Sequence, residues 1–365
     1  MKKILPALTL LLLIFTSGCT VPFLEIEIPF LPDLFGGMTV KEQKDDVIVI
    51  NRLDAIPSTT VRSGQSIRLR AVVKNLQKPE YKPIDNVTIQ LYNYCDMFTI
   101  SGETCTGGEK PEDKDKDGTY ECTIRMLPLQ TALVEWKLVA KDINVETPCK
   151  IGVLVKYKYT TYSDTSVTFI NKAEVERLIA EGKTFSETGV ASIGEGPVKP
   201  YVEVLNQPII IDVEAGSHAG ATAKDYGSGI MSFWIENKGD GILELAESQK
   251  GNVVFNCKTP ESSKVCLHIE ATKNEKGEED IKAINTTNQQ KISIQDCIKE
   301  HLIVNQDKTS INIINKKTPK YSCSISVYDP SRIKQEVTWH IKTEISYWYK
   351  FTKEVTVTVQ PRIKL

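Results

Sequence analysis

Along most of the chain, apolar and polar positions alternate with a period of two, in short blocks separated by Gly, Pro, Asn, Asp and Ser. Such blocks occupy residues 67–75, 86–95, 133–140, 151–160, 166–170, 230–237, 309–314, 322–327 and 354–359. A period of two places every second side chain on one face, so each block reads as a strand with one buried side. Helical spacing is confined to residues 171–183, where Asn171 supplies an N-cap with Glu174 three residues later. Val175, Leu178 and Ile179 share a face there, and Gly182 ends the run. A Gly-, Ser- and Thr-rich stretch to residue 200 follows, and it divides the chain into two all-β halves.

The halves read as copies. Asn75 closes the first half's strand "AVVKN" and Asn237 closes "FWIEN" in the second, each at the same distance before a cysteine, Cys95 or Cys257. Near the ends, residues 155–169 answer 345–359, with Tyr157 and Tyr159 matching Tyr347 and Tyr349. An insertion rich in acidic and amide residues, "KNEKGEED" and "NTTNQQ", lengthens the second copy between Cys266 and Cys297. All-β copies of this size with short strands predict antiparallel sandwiches. On "YGSGIMS" and "FWIENKGDG" (residues 226–241), and on "VRSGQSIRLRAVVKNL" (61–76), the chain resembles the CARDB-like immunoglobulin modules of archaeal and bacterial surface proteins. That resemblance implies two tandem immunoglobulin-like sandwiches, residues 45–170 and 201–365, joined by the short helix and flexible linker of residues 171–200. It implies display or interaction rather than a reaction.

At the N-terminus, Lys2 and Lys3 precede an apolar run from Leu8 to Phe15 and the small residues Thr16-Ser17-Gly18. This is the layout of an export signal over residues 1–18, and the run is shorter than the roughly 20 residues that span a bilayer. The Thr-Ser-Gly-Cys ending resembles the lipobox of prokaryotic lipoproteins, in its archaeal form. The resemblance implies that Cys19 is acylated and holds the protein on the outer face of the cell membrane. Residues 19–44 then form a tether, whose Pro22, Pro29 and Pro32 forbid a continuous helix.

Charge narrows the partners: 45 Lys and Arg against 47 Asp and Glu leave no basic field for nucleic acid. With Cys19 given to lipid, eight of the nine cysteines remain, and an exported chain keeps disulfides. Cys95 and Cys105 lie nearly as close as Cys257 and Cys266, and Cys122 and Cys149 nearly as far apart as Cys297 and Cys323, while the gap between these pairs differs between copies. This pattern favours the sequential bridges Cys95–Cys105, Cys122–Cys149, Cys257–Cys266 and Cys297–Cys323 over nested or crossed ones. Zinc is the rival, but the short CxxC clusters of zinc sites are missing.

Few residues carry site chemistry. Asp113, Asp115 and Asp117, with Gly118 and Glu121, have the spacing of a calcium loop without its final bidentate glutamate, which a solvated charged turn would also have. Asn86 and Asn285 begin glycosylation sequons. His218, His268, His301 and His340 show no metal spacing, and no nucleophile or phosphate-loop motif is present. Trp136, Trp234, Trp339 and Trp348 read mainly as core, and in "YWY" (347–349) one face must hold either the indole or both phenols. The expectation is a non-enzymatic, lipid-anchored surface protein for adhesion or envelope assembly, needing no cofactor unless calcium binds. The alternatives are a carbohydrate- or solute-binding accessory subunit and a hydrolase of unrecognised type.

Overall fold

The computed structural model describes residues 45–107, 121–183, 191–213, 227–243, 250–255, 264–272, 281–284, 291–292, 294, 297–298, 310–312, 316–327 and 330–362. The first half runs through β1 (Ile48–Ile56), β2 (Thr60–Arg62), β3 (Ser66–Asn75), β4 (Ile84–Asn93), β5 (Phe98–Cys105), β6 (Glu121–Met126), β7 (Thr131–Ala140) and β8 (Thr147–Asn171). Helix α1 (Lys172–Ala180) follows. The second half comprises β9 (Ala191–Ile193), β10 (Val198–Leu205), β11 (Ile209–Ile211), β12 (Gly229–Asn237), β13 (Ile242–Leu243), β14 (Lys250–Phe255), β15 (Lys264–Thr272), β16 (Ile281–Ile284), β17 (Lys291–Ile292), β18 (Ser310–Asn312), β19 (Tyr321–Val327) and β20 (Glu336–Gln360). The chain is all-β apart from its helical turns, as the alternation requires.

The repeat is visible in the pairing. One sheet has the order β1-β3-β7-β5 and another begins β10-β12-β19-β16, so each half builds the same antiparallel layer. Ile48 lies opposite Asn75, and Val198 lies opposite Asn237. Both asparagines are buried and make the same turn: Asn75 Oδ1 accepts the Gln77 N–H at 3.0 Å, and Asn237 Oδ1 accepts the Gly239 N–H at 3.1 Å. A side chain that bonds the backbone two residues on mimics a turn, which is why Asn ends both strands. Gln77 in place of Gly leaves the turn unchanged.

Beyond α1 and the segment after it, the halves share a third sheet. In its order β18-β14-β15-β20-β8-β4-β6, the long strands β8 and β20 lie antiparallel from Glu336 opposite Ile170 to Val359 opposite Thr147. Each strand is 25 residues, about 80 Å of extended chain. Residues 151–160 and 166–170, two blocks by alternation, are therefore one strand. β8 pairs with β4 of its own half and then, past Tyr162, with β9 and β11 of the other. β20 pairs first with β15 and ends beside β2 of the first half. Each long strand thus begins in one sandwich and finishes in the other, and a single buried apolar cluster runs through both.

The disulfides correct the sequential pairing expected for the first half. Cys95 bonds Cys149 and Cys105 bonds Cys122, in a nested arrangement, whereas Cys297 bonds Cys323 as expected. Topology explains the change. Cys95 follows β4, whose Asn93 lies opposite Gly152 of β8, three residues from Cys149. Cys105 ends β5 and Cys122 is the second residue of β6, edge strands of the two facing sheets, so their bridge closes one side of the sandwich. Near-equal spacing misled because Cys149 and Cys323 are not counterparts. Cys323 lies opposite Met231, where the first half has Trp136 opposite Leu69. Cys266 stands on β15, and Cys257 lies outside the described residues.

Helix α1 keeps its expected cap, with the Ala173 N–H donating to Asn171 Oδ1 at 2.9 Å. Glu174 does not turn back to that cap; its carboxylate takes both Nε and Nη2 of Arg177. Val175 is buried and Ile179 is 64% exposed, so the helix covers the sheet with only the upstream part of its apolar face.

Candidate functional site

The two faces of the β8–β20 ladder divide the chemistry. On the inner face, Tyr157, Tyr159, Tyr347 and Tyr349 are buried and meet edge to face, with ring centroids 5.7 Å apart for Tyr157–Tyr349 and 6.4 Å for Tyr159–Tyr347. This decides the "YWY" question: both phenols go inward and Trp348 goes outward. The Tyr159 hydroxyl accepts a bond from Gln77 Nε2 at 2.9 Å, and the Tyr349 hydroxyl donates to Asn237 Oδ1 at 3.1 Å beside Asp46. The halves exchange volume at these matched hydroxyls. Gln77 fills the space beside Tyr159, where a Cβ on Gly196 would strike the Tyr159 ring and Thr161. Asp46 fills it beside Tyr349, where a Cβ on Gly239 would strike the Tyr349 hydroxyl. Burial pushes all four phenols above their usual value, so they stay neutral at physiological pH and serve packing.

The outer face is polar and aromatic. At its centre Trp348 lies opposite Lys158, with the Lys156 ammonium 4.9 Å from the indole centroid and Lys350 two residues on. Trp348 and the three lysines are half-buried, and the strand alternation sends all four to this face. Further along, the Thr160 and Ser346 hydroxyls are 2.6 Å apart, Tyr162 is 54% exposed, and His340 Nδ1 donates to Asp164 Oδ1 at 2.9 Å. Pairing of the long strands brings this His and Asp together. Beside them a groove of about 460 Å³ is lined by Tyr81, Tyr162, Asp164, Lys342 and Glu344.

The remaining tryptophans are accounted for. Trp136 and Trp339 are core residues. Trp234 stacks on its cross-strand neighbour Tyr201, centroids 5.1 Å apart at 5°, and Lys320, just before β19, lies 4.3 Å from its centroid while bonding Glu203 at 2.9 Å. The indole stands between a phenol and an ammonium, which leaves its edge rather than its face for a ligand. Trp348 is accordingly the tryptophan best placed to meet a partner.

Of the residues singled out by sequence, Cys19, Asp113, Asp115, Asp117 and Asn285 lie outside the described residues. Glu121 opens β6 and accepts the Thr123 hydroxyl at 3.1 Å. Asn86 is exposed at a bulge in β4, with φ at +55°, a left-handed conformation that Asn tolerates. Val87, Ile89 and Leu91 beside it are buried, as the alternation required. Among the described residues no three His, Cys, Asp or Glu side chains converge on a possible metal position. Sequence reading missed Lys156, Lys158 and Lys350 as neighbours of Trp348; the available signal was a lysine at every second position between the tyrosines.

No family model matches the chain, and no curated protein is similar to it. Among solved structures, the AgI/II polypeptide BspA C-terminal domain of Streptococcus agalactiae is 9% identical with a TM-score of 0.19, over 83% of this chain and 95% of that one. A second BspA structure gives a TM-score of 0.20 at 9% identity, with the same coverage. Collagen adhesin from S. aureus gives 0.12 at 9% identity, over 87% and 94%. Likeness at this level carries no argument, and function has to be read from the residues.

Proposed function

We propose that this is a non-enzymatic surface protein, held at the outer face of the cell membrane by lipid on Cys19, whose paired sandwiches present the outer face of the β8–β20 ladder for adhesion or envelope assembly. The observation that carries this reading is the ladder itself. Two sandwiches locked by long exchanged strands make a stiff platform, and its outer centre places a half-buried indole among Lys156, Lys158 and Lys350. Bridges Cys95–Cys149, Cys105–Cys122 and Cys297–Cys323 fit an exported chain, since cytosolic thiols are kept reduced.

An indole with the Lys156 ammonium over it, and Lys158 and Lys350 on the same face, suits a ligand with both an apolar sugar face and a negative charge, so an acidic glycan is the favoured partner chemistry. Binding of the full chain to an immobilised acidic polysaccharide should fall at least about tenfold in Trp348→Ala, the loss of one aromatic stacking contact. The melting temperature should change little. Equal binding by wild type and variant would sink the glycan reading. Anchoring is tested apart from it: Cys19→Ser should leave the membrane fraction, and retention as firm as wild type would overturn the lipid assignment.

A further inference from the structure

On the outer face of the ladder, side chains stand in rows that cross the strands. Trp348 lies opposite Lys158, Ser346 opposite Thr160, Glu344 opposite Tyr162 and Lys342 opposite Asp164. Strand β9 extends the last two rows on the far side of β8. Ser192 lies opposite Asp164, and the Gly194 N–H donates to the Tyr162 carbonyl at 2.8 Å. Gly194 adds no side chain beside Tyr162, whose ring is 54% exposed.

The chemistry changes from row to row. Lys156, Lys158 and Lys350 surround the Trp348 row. Four residues along the strand, about 13 Å away, lies the groove of about 460 Å³, within the size range of small-ligand sites. Its described lining sets the carboxylates of Asp164 and Glu344 against the single ammonium of Lys342, and adds the phenols of Tyr81 and Tyr162. One end of the face is therefore aromatic and cationic, and the other is aromatic without cationic excess.

Both halves of the chain build the groove. Tyr81 belongs to the loop between β3 and β4, where its N–H donates to the Lys78 carbonyl at 3.1 Å. Lys78 Nζ in turn reaches Glu195, just past β9, at 3.2 Å. This ion pair ties the loop of the first half to the second, so that Tyr81 and Tyr162 line one groove. Asp164 already accepts His340 Nδ1 on Oδ1, and a carboxylate keeps further lone pairs for a ligand.

We propose that this groove is a second sugar subsite, which takes a neutral pyranose unit of the same glycan chain whose acidic unit stacks on Trp348. Tyr162 offers its ring to the apolar face of the sugar, and Asp164 and Glu344 accept its hydroxyls. The same two carboxylates repel a negatively charged unit. The ladder thereby selects a polysaccharide in which acidic and neutral units alternate over one that is acidic throughout. This inference rests on the glycan reading of Trp348.

Two polymers separate the subsites: hyaluronan, in which acidic and neutral sugars alternate, and polygalacturonate, which is acidic at every unit. With the full chain, Tyr162→Ala should weaken binding to immobilised hyaluronan about tenfold and leave binding to polygalacturonate unchanged. Tyr162→Phe keeps the ring and should bind hyaluronan as wild type does. Glu344→Lys should tighten binding to polygalacturonate at least about threefold and weaken binding to hyaluronan, and it carries the test if truncation of Tyr162 disturbs the fold. On hyaluronan, a loss in Trp348→Ala with none in Tyr162→Ala would overturn this inference and leave the glycan reading standing. Equal losses on the two polymers in Tyr162→Ala, or no gain for polygalacturonate in Glu344→Lys, would overturn the neutral-sugar assignment. Binding to both polymers that is indifferent to Trp348→Ala would sink the glycan reading, and this inference with it.

Discussion

Replacing Asn237 by Ala tests whether the polar junction between turn, ladder and sheet holds the second sandwich in place. Asn237 is buried, its Nδ2 donates to the Gly241 carbonyl at 2.7 Å, and its Oδ1 accepts from the Gly239 N–H and the Tyr349 hydroxyl, each at 3.1 Å. Each bond contributes about 1 kcal/mol net, and the partners left behind are buried, so the substitution should cost about 3 to 4 kcal/mol. Tyr349→Phe removes only one of the three bonds and should cost about 1 kcal/mol. Because the Tyr349 hydroxyl bonds the Asn237 amide oxygen, the double variant should be less destabilised than the sum by about 1 kcal/mol, since the second change no longer strands a partner. Asp46, beside the same hydroxyl, offers Tyr349 another acceptor and keeps the coupling from being larger. Urea unfolding of wild type, both single variants and the double variant measures all four quantities, with an unchanged slope showing that stability alone has moved. A loss below about 1 kcal/mol for Asn237→Ala, or strict additivity, would refute the reasoning.

Asn75→Ala should cost a similar amount, because its Nδ2 donates to the Leu127 carbonyl at 3.0 Å and its Oδ1 takes the Gln77 N–H; a near-neutral result by urea unfolding would break the equivalence of the two turns. Stability should be intact below about pH 10, where unfolded tyrosines begin to ionise. Above that it should fall by about 1.4 kcal/mol per unit for each phenol that keeps its proton when folded. Tyr157, Tyr159, Tyr347 and Tyr349 are all raised in the folded protein, so these four should add to the slope. Their complete ionisation near pH 10 in still-folded protein, read by ultraviolet absorbance, would count against it. Non-reducing peptide mapping should return Cys95–Cys149 and Cys105–Cys122. Removing the outer bridge, with its sequence separation of 54, should cost about 4 kcal/mol if loop entropy dominates, measured by thermal unfolding against wild type. Because each long strand serves both sandwiches, fluorescence of Trp136 and of Trp339, each isolated by Phe substitution of the other tryptophans, should report one shared unfolding transition; separated midpoints would show the halves to be independent.

The sequence by itself determined the all-β character, the duplication and the inward faces of the blocks that alternate, although β1, β5, β6 and β10 were not among those blocks. Ile67, Leu69, Ala71 and Val73 alternate with polar neighbours and are buried, and Asn75 and Asn237 mark the same turn in both copies. These features are local: whether a side chain faces the core depends on its place in a two-residue period, and an Asx turn closes within two residues. Much of the candidate surface was hidden because it is made by pairing across nearly 200 positions. Trp348 was visible as an ambiguous strand residue, but only the register of β20 against β8 sets it opposite Lys158 and beneath Lys156, and sets His340 beside Asp164. The bridges of the first half failed to read for the same reason. Interval lengths record how much chain lies between cysteines, whereas bonding depends on which strand ends meet in space. Cys95 meets Cys149 because β4 lies beside β8, and Cys105 meets Cys122 because two edges of a sandwich face each other. Alternation says which way a residue points, and tertiary structure alone decides what it points at, because the partner comes from a strand whose identity no local pattern encodes.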